Sequence, residues 1–203
     1  MAILDYVELR FPEAHRLADL VGISSDLDRV TEYASYVLDK FKDGNRPPSD
    51  ILGPFSIAVA ITYSRPFITG VRARLGDDDL KILDEQELAA HNHLRAYRDK
   101  HFAHSVNCYE ENVARAHYRA GRERHEGFLS ISYQSARVEG MSRSNLGNAL
   151  HLSQKFAQHV HQLMGEEQKR LLEVVRSKSI EEVLAGGKKV FNADGPIDKA
   201  RKR

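Results

Sequence analysis

One short stretch of the sequence combines residue types that suit the chemistry of phosphodiester cleavage. It reads Arg98-Asp99-Lys100-His101-Phe102-Ala103-His104. Histidine suits proton transfer to and from ribose oxygens because its ordinary pKa is about 6.5. Arginine suits the scissile phosphate because its planar guanidinium carries a permanent charge and several donors. These types favour an interpretation in which Arg98 holds a phosphate and His104 moves a proton.

The spacing of Arg98 and His104 does not place them on one face of a helix. Six positions along an ideal helix separate two side chains by about 120°. Two copies of such a helix, facing each other across a two-fold axis, would bring both residue types into one cleft. We therefore expect a homodimer whose composite site takes Arg98 and His104 from each subunit.

The segment 94–105 resembles the signature of the HEPN superfamily (higher eukaryote and prokaryote nucleotide-binding). That signature is an arginine with a polar follower, then a short spacer and a histidine. Here Arg98, Asp99 and His104 fill these positions, with five residues between the arginine and the histidine. The variant Arg-Asp-Lys-x-x-Ala-His is similar to HEPN proteins of the abortive-infection type. The resemblance covers about a dozen residues, set late in a long helical stretch.

The resemblance implies a helical domain, usually dimeric, and often a metal-independent endoribonuclease of toxin–antitoxin or phage-defence systems. On this hypothesis His104 is the general acid or base, Arg98 stabilises the phosphate, Asp99 orients one of them and His101 assists. The products would carry 2′,3′-cyclic phosphate ends. The expected partners are RNA or a nucleotide, with an antitoxin or nucleotidyltransferase as a cognate protein. Three further cations are expected to bind RNA: Lys100, Arg95 and Arg65.

Two other interpretations of the same residues stay open. Some HEPN members bind nucleotides or protein partners and cleave nothing, so a non-catalytic nucleotide-binding or interaction module is the alternative function. A helical scaffold without a site is the third possibility. In that case Arg98, Asp99 and Lys100 are a solvated helix face, and His104 is a histidine beside the negative end of the helix dipole.

The histidines around this stretch do not form a typical metal-binding pattern. Four of them cluster in sequence, but there is no His-Glu-x-x-His motif. The sequence also has no Gly-rich phosphate loop, and Cys108 is its one cysteine. We therefore expect neither a metal nor another cofactor. Glu87, His91 and Arg95 lie four residues apart, which predicts an exposed ladder of charges or, alternatively, a network that orients the active helix.

The elements that must position the stretch are predicted to be helices. Apolar residues recur with helical period through most of the chain, and Gly22 is expected to end the first helix. The last long helix would measure roughly 50 Å, so part of it would project or pack on a second subunit. The predicted fold is an all-α bundle of four to six helices with one long C-terminal helix. The predicted helices span 12–21, 26–43, 49–63, 80–105, 143–176 and 180–184.

Residues 106–140 depart from the helical pattern. Leu129, Ile131 and Tyr133 alternate with polar residues, which is typical of a strand. No partner strand is evident, so the sequence predicts an extended connector packed on the bundle.

Composition narrows the class of protein. The chain has 203 residues, a formal net charge of +1 and 41% apolar residues. So small a net charge gives no global signal for nucleic acid, and any binding patch must be local. The N-terminus lacks the apolar core of a signal peptide, and the most apolar run, 51–62, is too short to span a bilayer. We expect a cytoplasmic protein with one helical domain, 1–185, and a basic, flexible tail, 186–203.

Overall fold

The computed structural model describes residues 7–41, 45–70, 72–99, 110–119, 127–137 and 140–185. These parts form a helical bundle that carries one β-hairpin, so the predicted all-α class is confirmed. The helices are α1 (His15–Lys40), α2 (Ser49–Ser64), α3 (Asp77–Leu80), α4 (Glu85–Tyr97), α5 (Arg143–Ser177) and α6 (Ile180–Leu184). The strands are β1 (Glu110–Tyr118) and β2 (Phe128–Arg137), and short 3₁₀ turns span Pro12–Ala14 and Arg65–Phe67. The tail 186–203 lies outside the described residues.

The long helices α1 and α5 form the centre of the bundle, and α2 and α4 pack against them. Each presents an apolar stripe to the same core, as the helical period predicts. Burying one such side chain stabilises the fold by roughly 1.5–3 kcal/mol. The largest fully buried aliphatic side chains are Ile23, Leu27, Leu52, Leu94, Leu146 and Leu152.

The first helix continues through Gly22, so the predicted end at this residue is wrong. A Cβ atom at Gly22 would lie 3.0 Å from Nη1 of Arg72. Arg72 reaches along α1 to the buried Asp26, whose Oδ2 accepts a hydrogen bond of 2.7 Å from Nη2. The absence of a side chain at position 22 therefore makes room for Arg72 rather than ending the helix.

The predicted helix 80–105 is divided in two near its start. α3 ends at Leu80 and α4 begins at Glu85. Asp84 caps α4: its carboxylate accepts a hydrogen bond from the backbone N–H of Glu87 at 2.8 Å, and the Glu87 carboxylate accepts one from the N–H of Asp84 at 2.8 Å. This reciprocal capping box satisfies two backbone donors and fixes where α4 begins.

The last long helix is close to its predicted bounds. The Ser142 hydroxyl caps α5 by accepting a hydrogen bond of 3.1 Å from the N–H of Asn145. Far along α5, the buried Glu167 pairs with Arg170, which also donates to the backbone carbonyl of Glu13 at 2.7 Å. The turn before α1 therefore contacts the C-terminal half of α5, and buried side chains occur along α5 as far as Leu171.

The segment with strand-like alternation is paired, contrary to the prediction of a connector packed on the bundle. β2 forms an antiparallel hairpin with β1, in which Tyr133 is opposite Ala114 and Ile131 is opposite Ala116. A register irregularity falls between His117 and Tyr118. The side chains that the structure describes in the hairpin are exposed, except the half-buried Ser132. β1 was missed because its sequence, EENVARAHY, lacks an apolar alternation.

Within the described residues, no helix combines the length and the apolar character needed to cross a membrane.

Candidate functional site on helix α4

The middle of α4 is anchored in the core by a histidine. His91 is fully buried, and its Nδ1 shares a hydrogen bond of 2.9 Å with the hydroxyl of the equally buried Tyr63 on α2. The rings of Phe67 and Phe156 meet the imidazole edge-on or tilted, at centroid distances of 4.6 and 5.9 Å. This pair binds α4 to α2 inside an aromatic cluster and satisfies Nδ1 of the imidazole, whereas Nε2 is buried and has no hydrogen-bond partner among the described residues.

Both members of this pair resist ionisation. Burial, with a smaller contribution from the positive charge of Arg95, lowers the pKa of His91 to about 4. Burial also raises the pKa of Tyr63 well above its ordinary value. A low-dielectric aromatic surrounding disfavours the charged form of each group. His91 is therefore neutral at physiological pH and serves the fold as a hydrogen-bonding group.

The beginning of α4 is tied to α5. The Glu87 carboxylate lies 2.7 Å from Nε2 of His151 and 2.5 Å from Nζ of Lys155. The hydrogen bond from Lys155, followed by those from the Asp84 backbone and His151, lowers the pKa of Glu87 to about 2. The expected ladder along Glu87, His91 and Arg95 is therefore wrong, because Glu87 is paired across the helix interface and His91 is buried.

The end of α4 carries the residues singled out for chemistry. Arg98 caps the helix and, with Asp99, continues it in the wider π form. Nη1 of Arg98 donates a hydrogen bond of 2.6 Å to Oδ1 of Asp99, and both side chains are partly exposed. The structure thus brings Arg98 and Asp99 together at a helix end, where the guanidinium keeps further donors for an anion. The other three candidate residues of this stretch, Lys100, His101 and His104, lie outside the described residues.

The two other predicted RNA-binding residues have contacts of their own. Arg65 follows α2, and its Nη1 lies 3.0 Å from Oδ1 of the buried Asp26, which Arg72 contacts from the other side. Arg65 therefore has a structural role in joining this turn to α1. Arg95 is half-buried one turn after His91, and its charge acts on the pKa values of His91 and Tyr63.

A line of histidines crosses the surface of α5. His151 contacts Glu87, His159 contacts Asp79 at 2.8 Å, and His161 contacts the Ser24 hydroxyl at 3.2 Å. Each of these three histidines therefore contacts another helix of the bundle. A cleft of about 560 Å³ lies beside the first of these contacts, lined by Asp84, Gln86, Glu87, Ala90, Asn148, His151 and Leu152. Across the part of the chain that the structure describes, no three His, Cys, Asp or Glu residues are grouped as metal ligands.

Sequence reasoning missed the Tyr63–His91 pair. Its members lie 28 positions apart, and no motif joins them. A usable signal was nevertheless present. Tyr63 closes a helix that is apolar on most sides, and a buried tyrosine hydroxyl generally needs a hydrogen-bond partner.

Comparison of the chain with protein-family models, curated proteins and solved structures finds no significant match.

Proposed function

We propose that this protein is a HEPN-like, metal-independent endoribonuclease of the toxin–antitoxin or phage-defence type, active as a cytoplasmic homodimer. Arg98 binds the scissile phosphate and stabilises its transition state, and His104 transfers protons as general acid or base. Asp99 orients the guanidinium, and His101 assists. The 2′-hydroxyl attacks phosphorus and the 5′ oxygen leaves, so the products carry 2′,3′-cyclic phosphate ends.

The observation that carries this proposal is the position of Arg98 at the end of a firmly anchored helix. α4 is fixed at its start by Glu87 and in its middle by His91. Rigid support of this kind is what a catalytic group needs to hold a productive geometry. The π-helical turn at Arg98 and Asp99 adds weight, because such turns occur frequently at functional sites.

The exposed hairpin favours a second candidate function, a non-catalytic module that binds a nucleotide or a protein. Ile131 and Tyr133 expose 74% and 90% of their surface. Exposed apolar side chains on one strand are available to contact a partner. A module of this kind would be paired with the product of another gene.

Cleavage of RNA in excess EDTA separates the two candidates. Wild-type protein should cut RNA and leave 2′,3′-cyclic phosphate ends, whereas Arg98→Ala and His104→Ala should each reduce the rate by at least about 100-fold. Arg98→Lys should retain part of the activity, since it keeps the charge but loses the planar fork. Arg176→Ala, which removes an exposed arginine near the end of α5, is the matched control and should cleave normally.

Two outcomes contradict the enzymatic proposal: wild-type protein that cleaves no RNA, or Arg98→Ala and His104→Ala variants that cleave as well as wild type. Binding of a nucleotide that is lost in Arg98→Ala, without any cleavage by wild type, would favour the binding module.

A further inference from the structure

The cleft between the beginning of α4 and the N-terminal part of α5 carries two amide side chains that the fold does not use. We call it the α4–α5 cleft. It measures about 560 Å³, and its lining includes Gln86 and Asn148. Neither amide side chain forms a hydrogen bond within the part of the chain that the structure describes, although Asn148 is half-buried. Since polar groups away from bulk water generally have partners, these amides are available to a ligand.

The hydrogen bond between Glu87 and His151 determines which imidazole nitrogen remains available in this cleft. The pKa of Glu87 is about 2, so its carboxylate is ionised at neutral pH and can only accept. The contact of 2.7 Å therefore places a proton on Nε2 of His151. In the neutral ring Nδ1 is then unprotonated and is an acceptor. The side chain of His151 is 62% exposed, so it also offers a flat aromatic surface.

The charges of the lining restrict what the cleft can bind. Its described lining contains the carboxylates of Asp84 and Glu87 but no lysine or arginine. Both carboxylates repel an anion, so a phosphate group is disfavoured here. Asp84 uses only Oδ1 in the capping box and keeps an acceptor oxygen for other contacts. A ligand that fits these groups is uncharged and donates hydrogen bonds.

A nucleobase with an exocyclic amino group has these properties. Carboxylates accept hydrogen bonds from the amino group of cytosine, and Asn or Gln binds the edge of adenine through two hydrogen bonds. Unstacked bases of single-stranded RNA also stack on histidine rings. The apolar part of the lining, Ala90 and the buried Leu152, can contact the rest of the ring. The volume is within the range of about 300–1,000 Å³ that is usual for small-ligand sites.

The position of the cleft connects it with the end of α4. Arg98 lies eight positions after Ala90 on the same helix, which is about 12 Å along the axis. Polar side chains continue between them, where Nε2 of His93 shares a hydrogen bond of 3.2 Å with the amide of Asn145. A separation of this size equals roughly three to four stacked nucleotides at 3.4 Å each. One RNA strand can therefore reach both places.

We propose that the α4–α5 cleft binds one amino-bearing base, adenine or cytosine, of the RNA whose scissile phosphate lies at Arg98. Asn148 and Gln86 hydrogen-bond the edge of the base, His151 stacks on it, and Asp84 accepts from its amino group. This inference rests on the proposed ribonuclease function, which supplies RNA as the ligand. It adds a base preference a few nucleotides away from the cleaved bond.

Free nucleosides test the cleft without involving Arg98, because they lack phosphate. Titration of the ¹⁵N-labelled full chain, followed by two-dimensional NMR, should show shifts of the backbone N–H signals of Gln86, Ala90, Asn148 and Leu152. Adenosine and cytidine should bind with dissociation constants on the order of 1 mM. Uridine should bind at least about 5-fold more weakly, because its base has no amino group to donate to the acceptors of the cleft.

Amide variants on the two helices provide matched controls. Asn148→Ala and Gln86→Ala should each weaken adenosine binding by about 3-fold to 10-fold, as expected for a lost hydrogen bond. Asn92→Ala on α4 and Gln154→Ala on α5 remove exposed amides outside the cleft, and both should bind like wild type. The dispersion of the NMR signals verifies that each variant is folded. The absence of shifts at the cleft with about 10 mM nucleoside, or uridine binding equal to adenosine binding, would overturn the proposal.

The same titration distinguishes failure of this inference from failure of the proposed function. Arg98→Ala should bind adenosine like wild type while losing RNA cleavage. Cleavage by a wild type that binds no nucleoside would overturn the base site alone. Adenosine binding that depends on Asn148, in a wild type that cleaves no RNA, would support the base site and contradict the ribonuclease function.

Discussion

The two ends of α4 differ in how their charged side chains are satisfied. At the beginning, Glu87 closes a capping box and contacts both His151 and Lys155 of α5. At the end, Arg98 contacts the neighbouring Asp99. The polar groups near the beginning of the helix join it to another element. The pair at its end is local and joins α4 to no other helix that the structure describes.

This difference separates residues that the fold requires from residues that it leaves available. Asp26 follows the first pattern: it is buried on α1 and binds Arg65 and Arg72, which both belong to the segment after α2. Removing one partner of a buried, charged pair destabilises a protein strongly, because the other charge stays buried without compensation. A partly exposed pair of sequence neighbours contributes little, because water and salt screen it. Arg98 can therefore be specialised for a ligand without a cost to the fold.

The largest expected effect concerns the residues that the fold requires. It is the pH dependence that His91 contributes to the free energy of unfolding. Its pKa is about 4 in the folded protein, against an ordinary value of about 6.5. Between these values the unfolded chain binds the proton and the folded chain does not. The free energy of unfolding should therefore fall, by on the order of 3 kcal/mol, as the pH falls through this window. Above about pH 6.5 the histidine should contribute no pH dependence.

Urea unfolding, followed by helical circular dichroism from about pH 7 to about pH 4, measures this effect. The double variant Tyr63→Phe with His91→Leu replaces both hydrogen-bonding partners by apolar groups, which is often nearly neutral. It should lose the pH dependence that His91 contributes. The control His93→Gln changes an exposed histidine on the same helix and should keep the wild-type profile. A double variant as acid-sensitive as wild type would show that the acid sensitivity does not come from His91.

Glu87 should contribute a smaller pH dependence to the free energy of unfolding, over a lower pH range than His91. Its pKa is about 2 in the folded protein, mainly because of the hydrogen bond from Lys155. The stabilisation is present above the ordinary glutamate pKa of about 4.3 and is lost as the pH falls toward 2. Glu87→Gln should therefore flatten the unfolding profile below about pH 4.5 and leave the His91 window unchanged. Glu85→Gln, an exposed neighbour in the same turn, should leave both windows as they are, and a Glu85 effect as large as that of Glu87 would contradict the assignment.

Much of the helical framework follows from sequence, because it depends on local signals. The period of apolar residues and the Ser142 cap give the bounds of α5 to within a residue. Asp84 and Glu87 also carry a readable capping signal, although the apolar period alone suggests one continuous helix. Gly22 misleads, since its role depends on Arg72, which lies fifty residues further along the chain.

Only part of the candidate site can be predicted from the sequence. Arg98 and Asp99 can be selected by residue type and spacing, because their chemistry is local. The Tyr63–His91 pair depends on how α2 and α4 meet, which no motif specifies. The hairpin shows the same limit: the alternation in β2 is visible, but the partner strand lacks a pattern of its own.

The smallest expected effect on stability is that of Arg98→Ala. This variant tests most directly whether the two ends of α4 differ. The guanidinium contacts Asp99 at a partly exposed helix end, so its removal should change the free energy of unfolding by less than about 0.5 kcal/mol. Arg72→Ala is the matched arginine variant. It removes a hydrogen bond of 2.7 Å to the buried Asp26 and should cost about 1–3 kcal/mol.

Urea unfolding at neutral pH compares the two variants, and the RNA assay is run on the same samples. We expect each variant to lose one property and keep the other. Arg98→Ala should be as stable as wild type but inactive, whereas Arg72→Ala should be destabilised but active at temperatures where it is folded. If Arg98→Ala were destabilised as much as Arg72→Ala, Arg98 would be part of the framework. Its loss of activity would then follow from loss of structure, and the end of α4 would no longer differ from its beginning.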